Sequence, residues 1–205
     1  MSEVQAAKRR PNVARWALVV AVLIGAAAVL YVIGSASFKP KAPSDLSDLR
    51  TGALEKLVVA ASPTPEPDVS FADEGGKSLT LAGLKGQVVV MNLWASWCAP
   101  CKEEMPTLAK LQAAYAIQPV KVVAISVDRD EDLNLAQAMI AANPPLGLYR
   151  DPSYRMAFSL QPRAEGFPTT VVFDRQGREV ARMSGGADWA SPQARTLVER
   201  LLRAR

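Results

Sequence analysis

One stretch decides how this chain is read: Gln87-Val88-Val89-Val90-Met91-Asn92-Leu93-Trp94-Ala95-Ser96-Trp97-Cys98-Ala99-Pro100-Cys101. Its first eight residues make an almost continuous apolar run, the pattern of a strand buried on both faces. A helical pattern follows from Ala99 toward Gln118, with Leu108, Leu111 and Tyr115 on one face. The two cysteines therefore stand where a buried strand turns into a helix. Backbone N–H groups and the positive end of the helix dipole favour a thiolate at the first of them, whose pKa can fall from ~8.5 to roughly 3.5–7.5 in such motifs. Cys98 is the expected nucleophile. Cys101, one turn further on, is placed to attack a mixed disulfide formed at Cys98 and release the partner. Pro100 fixes the entry to the helix.

Other uses of the pair are weaker. A bridge between residues three apart closes a tiny loop and contributes little as a purely structural staple. A structural zinc site needs two more ligands, and the chain has 2 cysteines and no histidine. The lack of histidine also removes imidazole bases, Cys-His machinery and covalent haem attachment. No metal and no bound cofactor are expected; the redox carrier is the Cys98–Cys101 disulfide itself.

Strand and helix patterns alternate outward from this point. Asp73-Glu74-Gly75-Gly76-Lys77 is a turn between two short strands, and Val120 to Val127 forms a second buried strand. A helix follows from Glu131 to Ala142, capped by Asp130 and closed by Asn143-Pro144-Pro145, and another short helix lies within Pro152 to Leu160. Thr169 to Asp174 and Arg178 to Met183 make a hairpin, and Ser191-Pro192 opens a last helix to Leu202. This order predicts helices on a mixed sheet, parallel in its first half and antiparallel at one edge. The Asp128 to Asp132 acidic cluster lacks the spaced glycine of a calcium loop and reads as a solvated turn. Trp189 reads as packing.

Upstream, Trp16 to Ile33 contains no charge over 18 residues, roughly 27 Å as a helix and just enough for a bilayer core. Four basic residues precede it, and Lys39 and Lys41 follow. The positive-inside rule then puts residues 1–15 in the cytoplasm, an anchor at 16–34, and everything after it outside. A signal peptide cleaved near Gly34-Ser35-Ala36 is the alternative, although the run exceeds a typical signal core. Prolines at 40 and 43 and at 63, 65 and 67 mark residues 35–68 as a linker. A short helix, capped by Ser44, is expected within it, with Leu46, Leu49, Ala53, Leu54 and Leu57 on one stripe that packs on the following domain; a mobile stalk is the alternative. The main domain is expected at 69–205.

Charge argues against nucleic acid. The net charge of +4 falls to +1 beyond residue 33, where 20 basic and 19 acidic residues balance without a basic run.

The chain resembles the thioredoxin superfamily over residues 69–203, specifically the membrane-anchored TlpA/ResA-like thiol:disulfide oxidoreductases. The residues that carry the likeness are Asn92 to Cys101, the following Lys102-Glu103-Glu104-Met105-Pro106, and Gly166-Phe167-Pro168-Thr169-Thr170. The resemblance implies a thioredoxin-like α/β fold, a mixed central sheet flanked by helices and preceded by one transmembrane helix. It makes Pro168 a cis-proline facing the cysteines and has Phe167 offer backbone groups to an extended partner, in the company of Trp97, Ala99 and Pro100. Trp94 and Trp97 shape the site, one buried and one beside the thiols. Thioredoxins proper carry an aspartate six positions before the first cysteine; here that residue is Asn92, which cannot titrate. The resembling subfamily has a glutamate three residues after the second cysteine, which makes Glu104 the expected acid/base for Cys101, with a solvated surface carboxylate as the alternative. Glu103 and Lys102 read as helix surface.

The activity implied is reduction of partner-protein disulfides by a monomeric, single-pass inner-membrane protein with a periplasmic catalytic domain. Implied partners are apocytochrome c or the copper-site proteins of cytochrome oxidase, with re-reduction by a membrane electron donor of the CcdA/DsbD type. A disulfide-introducing oxidase shares the motif. A non-catalytic copper-delivery or scaffold module fits less well, because it favours a Cys-X-X-X-Cys plus histidine site. A peroxiredoxin would need Pro-X-X-X-Thr before its cysteine.

Overall fold

The computed structural model describes residue 17, residues 21–26 and residues 46–204. Two units are distinguished, Met1–Lys41 and Ala42–Arg205. In the first, residue 17 and residues 21–26 are helical, and the rest of the expected anchor at 16–34 lies outside the described residues. Among the described residues, no helix is long and apolar enough to cross a membrane.

The second unit is built on one eight-stranded sheet of order β1-β8-β7-β4-β5-β6-β2-β3. The strands are β1 (Val58–Pro65), β2 (Ser70–Asp73), β3 (Ser78–Thr80), β4 (Val88–Trp94), β5 (Val120–Ser126), β6 (Tyr149–Arg150), β7 (Thr169–Phe173) and β8 (Arg178–Ser184). Its helices are α1 (Ala99–Ala114), α2 (Leu133–Ala141), α3 (Arg155–Ser159) and α4 (Pro192–Arg203). Strands β4, β5 and β6 are parallel, whereas β7 joins β4 antiparallel and β2 joins β6 antiparallel. The mixed sheet is thus parallel at its centre and antiparallel on both flanks, not at one edge as expected. The difference comes from β6, two residues too short to leave a pattern in the sequence.

Every residue of β4 is buried, and alternate side chains feed opposite faces. Val88, Val90 and Trp94 join Met105, Leu108 and Leu111 of α1 and Leu197 and Leu201 of α4 in one cluster. Val89, Met91 and Leu93 join Phe71, Leu81, Met156 and Phe173 in the other. A run without polar alternation is what a strand covered by helices on both sides requires.

Residues 35–68 were expected to be a linker ahead of a domain starting at 69, but from Leu46 onward the chain belongs to the folded unit. Leu46, Leu49, Leu54 and Leu57 are all buried in the α1/α4 cluster. The single helix expected there is instead two 3-10 turns, Ser47–Leu49 and Gly52–Leu54. Thr51 is extended and Gly52 sits at φ +53°, a left-handed break that no continuous helix passes through. The bidentate pair of Arg200 on Asp48 closes this segment onto α4, with Nη1–Oδ1 at 2.5 Å and Nη2–Oδ2 at 2.6 Å. Of the prolines that signalled a linker, Pro63 and Pro65 lie in an edge strand, Pro67 follows it, and Pro40 and Pro43 lie outside the described residues. Pro63 falls in the irregularity between Val59 and Thr64, and Pro65 ends β1, positions where no ladder donor is needed.

Helix α2 also begins differently. Residues Asp130–Asp132 form a 3-10 turn, and Asp130 accepts from Arg150 Nη2 at 2.7 Å instead of capping the helix. The start of α4 is as read: Ser191 Oγ accepts from Ala194 N–H.

Candidate active site

Strand β4 ends at Trp94, and Ser96 is pinned before α1 begins. Asp128, just past β5, is buried and accepts from Ser96 N–H at 3.0 and 2.9 Å, from Ser96 Oγ at 2.9 Å and from Ser126 Oγ at 2.8 Å. The acidic cluster read as a solvated turn therefore hides one interior carboxylate, and its job is to fix the loop that presents Trp97 and Cys98. A single-chain pattern offers no signal for it, because Ser96 lies 32 residues away.

Cys98 takes an extended conformation and caps α1, with Pro100 in the first turn. The disulfide to Cys101 is closed, its Cα atoms 5.3 Å apart. Cys101 N–H donates to Cys98 Sγ at 3.3 Å, so the cap of the helix is the sulfur itself. Cys98 is 6% exposed and Cys101 is wholly buried. Cys98 thus keeps a small exposed surface and Cys101 none, the order of exposure that a nucleophile followed by a resolving thiol requires.

Trp97 stands 59% exposed beside Cys98 and meets the Phe167 ring edge-on, with centroids 6.0 Å apart. Phe167 in turn lies 6.0 Å from the Tyr154 ring. The Phe167-Pro168 peptide is cis, as expected, and leads into β7, the direct neighbour of β4. Arg182 on β8 fastens the loop before it: Nε and Nη2 donate to Glu179 at 2.8 and 2.7 Å, and Nη1 donates to the Pro162 carbonyl. Trp97, Ala99, Pro100, Phe167 and Pro168 are thus brought to one end of the sheet around the disulfide, with Trp94 fully buried beneath.

Glu104 is the decisive side chain. It lies one turn from Cys101 on the same face of α1, yet it is only 3% exposed and is no surface carboxylate. Three donors surround it. Oε1 accepts from Asn92 Nδ2 at 2.7 Å; Oε2 accepts from Ala187 N–H at 3.0 Å and from Trp189 Nε1 at 3.2 Å. Burial pushes its carboxyl up to about 7, against the opposing pull of the Ala187, Asn92 and Trp189 bonds. A carboxyl half-ionised near neutrality is suited to passing protons. Asn92 also donates to Thr170 Oγ1 at 2.8 Å, tying Glu104 to the strand that carries the Pro168 loop. Trp189, read from sequence as packing, is buried and is also one of these donors. Its partner is 85 residues away, beyond the reach of any local pattern.

A family model described as Redoxin matches residues 61–198, well over half of the chain. The chain belongs to the Redoxin family. Within the Redoxin family it stands with the TlpA/ResA-like thiol:disulfide oxidoreductases of thioredoxin fold. It is 30% identical over 120 residues to the thiol-disulfide oxidoreductase ResA of Bacillus subtilis, a match covering 58% of this chain and 65% of that protein. The thioredoxin-like protein YneN of the same organism is 31% identical over 120 residues, covering 54% and 64% of the two chains. Both matches span slightly less than two thirds of the relative. Among solved structures, a putative thiol:disulfide interchange protein DsbE from Chlorobium tepidum superposes with a TM-score of 0.60 at 25% identity, over 70% of this chain and 99% of that one. A secreted thiol-disulfide isomerase from Corynebacterium glutamicum gives 0.61 at 26% identity, over 72% and 92%.

Proposed function

We propose that this Redoxin-family protein is a membrane-anchored reductase of disulfides in partner proteins, acting on the extracytoplasmic side. The observation that carries the reading is the pairing of a helix-capping, accessible Cys98 with a buried Cys101 one turn from the buried Glu104. In the dithiol form, the Cys98 thiolate attacks one sulfur of the partner disulfide; that S–S bond breaks, a mixed disulfide forms and one partner thiolate leaves. Glu104 as carboxylate takes the proton from Cys101 S–H. The Cys101 thiolate then attacks Cys98 Sγ, which closes the Cys98–Cys101 disulfide and expels the second partner thiolate. Two electrons pass from the dithiol to the partner, and both partner thiolates end protonated.

In this reading, Trp97, Ala99 and Pro100 form one wall of the partner site, and Phe167 and Pro168 the other. The exposed Trp97 against Phe167 supports an apolar landing surface for an extended segment. The uncharged run at 16–33 supports the anchor, with the N-terminus in the cytoplasm and the catalytic unit in the periplasm. In an oxidising compartment the pair needs a membrane dithiol donor of the CcdA/DsbD type to return it to the reduced state. The partners proposed are apocytochrome c, whose thiols must be free before haem attachment, or the copper-site cysteines of cytochrome oxidase assembly.

The test is the reduction potential of the full chain, equilibrated in dithiothreitol or glutathione buffers and followed by tryptophan fluorescence. A value near or below about −270 mV supports a reductase; one near about −120 mV makes the protein a disulfide-introducing oxidase and overturns the partners named.

A further inference from the structure

If Glu104 exchanges a proton with Cys101 in each cycle, that proton must also reach water, and the need for such a route rests on the acid/base role proposed for Glu104. On the Oε1 side the hydrogen-bonded neighbours lead inward. Asn92 and its second partner Thr170 are both wholly buried. On the Oε2 side lies a cleft of about 370 Å³ between the start of α1 and the loop after β8, lined by Pro100, Glu103, Glu104, Thr107, Gly186, Ala187 and Asp188. Liquid water takes about 30 Å³ per molecule, so the cleft has room for several waters beside the carboxyl. Its rim carries the exposed carboxylates of Glu103 and Asp188, and its wall the hydroxyl of Thr107.

Position 186 controls the width of this cleft. A Cβ there would stand 3.4 Å from the Pro100 carbonyl oxygen, 3.5 Å from Pro100 Cβ and 4.0 Å from Glu104 Oε2. These are ordinary contacts, and Gly186 is not among the glycines held at positive φ. Neither backbone nor packing demands glycine. A Cβ there would fit the fold and stand in the opening over the carboxylate.

We propose that this cleft is the proton route between Glu104 and solvent, kept open by the absence of a side chain at position 186. In the step, the O–H bond of neutral Glu104 breaks, a cleft water accepts the proton and passes it outward, and no electrons move. The groups that bear on Glu104 are Glu103 and the Cys98–Cys101 pair on α1, Asp188 and the Ala187 and Trp189 N–H donors after β8, and the neutral Asn92 and Thr170 on β4 and β7.

The experiment titrates the Glu104 carboxyl by 13C NMR in the full chain in detergent micelles, with the resonance assigned by its loss in Glu104→Gln. Wild type is compared with Gly186→Ala and Gly186→Val, and resolution of a mixed disulfide at Cys98 is timed across the same pH range. Displacing water from Oε2 removes solvation of the charged form, so proton affinity rises about tenfold in Gly186→Val and by less in Gly186→Ala. The pH at which resolution is half-maximal moves with it. A midpoint unchanged in both variants overturns the proposal, and Gly186→Ala decides alone if the valine variant does not fold. A rate lowered equally at every pH with a fixed midpoint also overturns it, since that marks a disturbed approach of Cys101 to Cys98 and not a change in the solvation of Glu104. If Glu104→Gln resolves the mixed disulfide as fast as wild type, the acid/base reading fails first and the need for a route falls with it.

Discussion

Replacing Glu104 by glutamine should flatten the pH dependence of stability in one defined window. The carboxyl sits at about 7 in the folded protein against 4.5 for the free group. Below pH 4.5 it is protonated in both folded and unfolded chains and contributes no slope. Between 4.5 and about 7 the folded state holds a proton that the unfolded state has released, so stability falls as pH rises, by about 1.4 kcal/mol per pH unit. Above 7 both states are ionised and the slope from this group vanishes, leaving a total loss of about 3 kcal/mol. The glutamine variant cannot titrate and loses that component. It does not gain the whole amount at high pH. The site offers three donors, from Asn92, Ala187 and Trp189, and the new amide turns its own N–H toward at least one of them, at a cost of about 1–3 kcal/mol. The assay is urea unfolding of the oxidised full chain in detergent micelles, without reductant, followed by tryptophan fluorescence at pH 4.5 and pH 8. Other groups titrate equally in both proteins, so the difference of differences isolates Glu104. An unchanged loss of stability between the two pH values in Glu104→Gln would refute the claim that a buried, proton-binding carboxyl occupies this position.

Cys101→Ser should leave Cys98 able to attack but unable to be released, so partner proteins accumulate as mixed disulfides on non-reducing gels, whereas Cys98→Ser captures none. Asp128→Ala removes the acceptor of two Ser96 donors and the Ser126 hydroxyl from a buried position; a loss of about 3 kcal/mol in urea unfolding is expected, with faster alkylation of reduced Cys98 as its loop loosens. Leu54→Ala, at a side chain with no exposure in the α1/α4 cluster, should cost about 2–5 kcal/mol, and a chain cut to begin at residue 69 should not fold to a stable unit, as circular dichroism would show.

What could be read in the sequence was what local chemistry writes locally. The apolar run to Trp94, the Cys-X-X-Cys on a helix start, the β7/β8 hairpin and the Ser191 cap all depend on residues within a few positions of one another, and each stands where the pattern placed it. The N-terminal segment misled because proline is ambiguous. Pro63 and Pro65 exclude helix and central strand equally, and an edge strand is the remaining structure they permit besides a linker. The leucine spacing from Leu46 to Leu57 correctly marked a buried face but named the wrong element, since two 3-10 turns broken at Gly52 present the same side chains. The partners of Glu104 and of Ser96 had no local trace at all.

Asn92 shows why the site works only as a long-range assembly. On β4, six residues before Cys98, an amide replaces the aspartate of thioredoxins proper, and the ionisable group sits instead on α1, at Glu104. Two carboxylates at these positions, the side-chain atoms of which lie within hydrogen-bonding distance here, would repel one another and share a proton between them. With asparagine, the same contact becomes a donor to one carboxylate and opposes the upward push of burial, which leaves Glu104 near neutrality instead of locked in its acid form. The donors from Ala187 and Trp189 act in the same direction from the far side of the fold. The midpoint is therefore set by a balance between burial and three hydrogen bonds from β4 and the segment after β8. Asn92→Leu, which removes one donor and keeps the volume, should shift it upward, and Asn92→Asp should shift it further by adding a like charge.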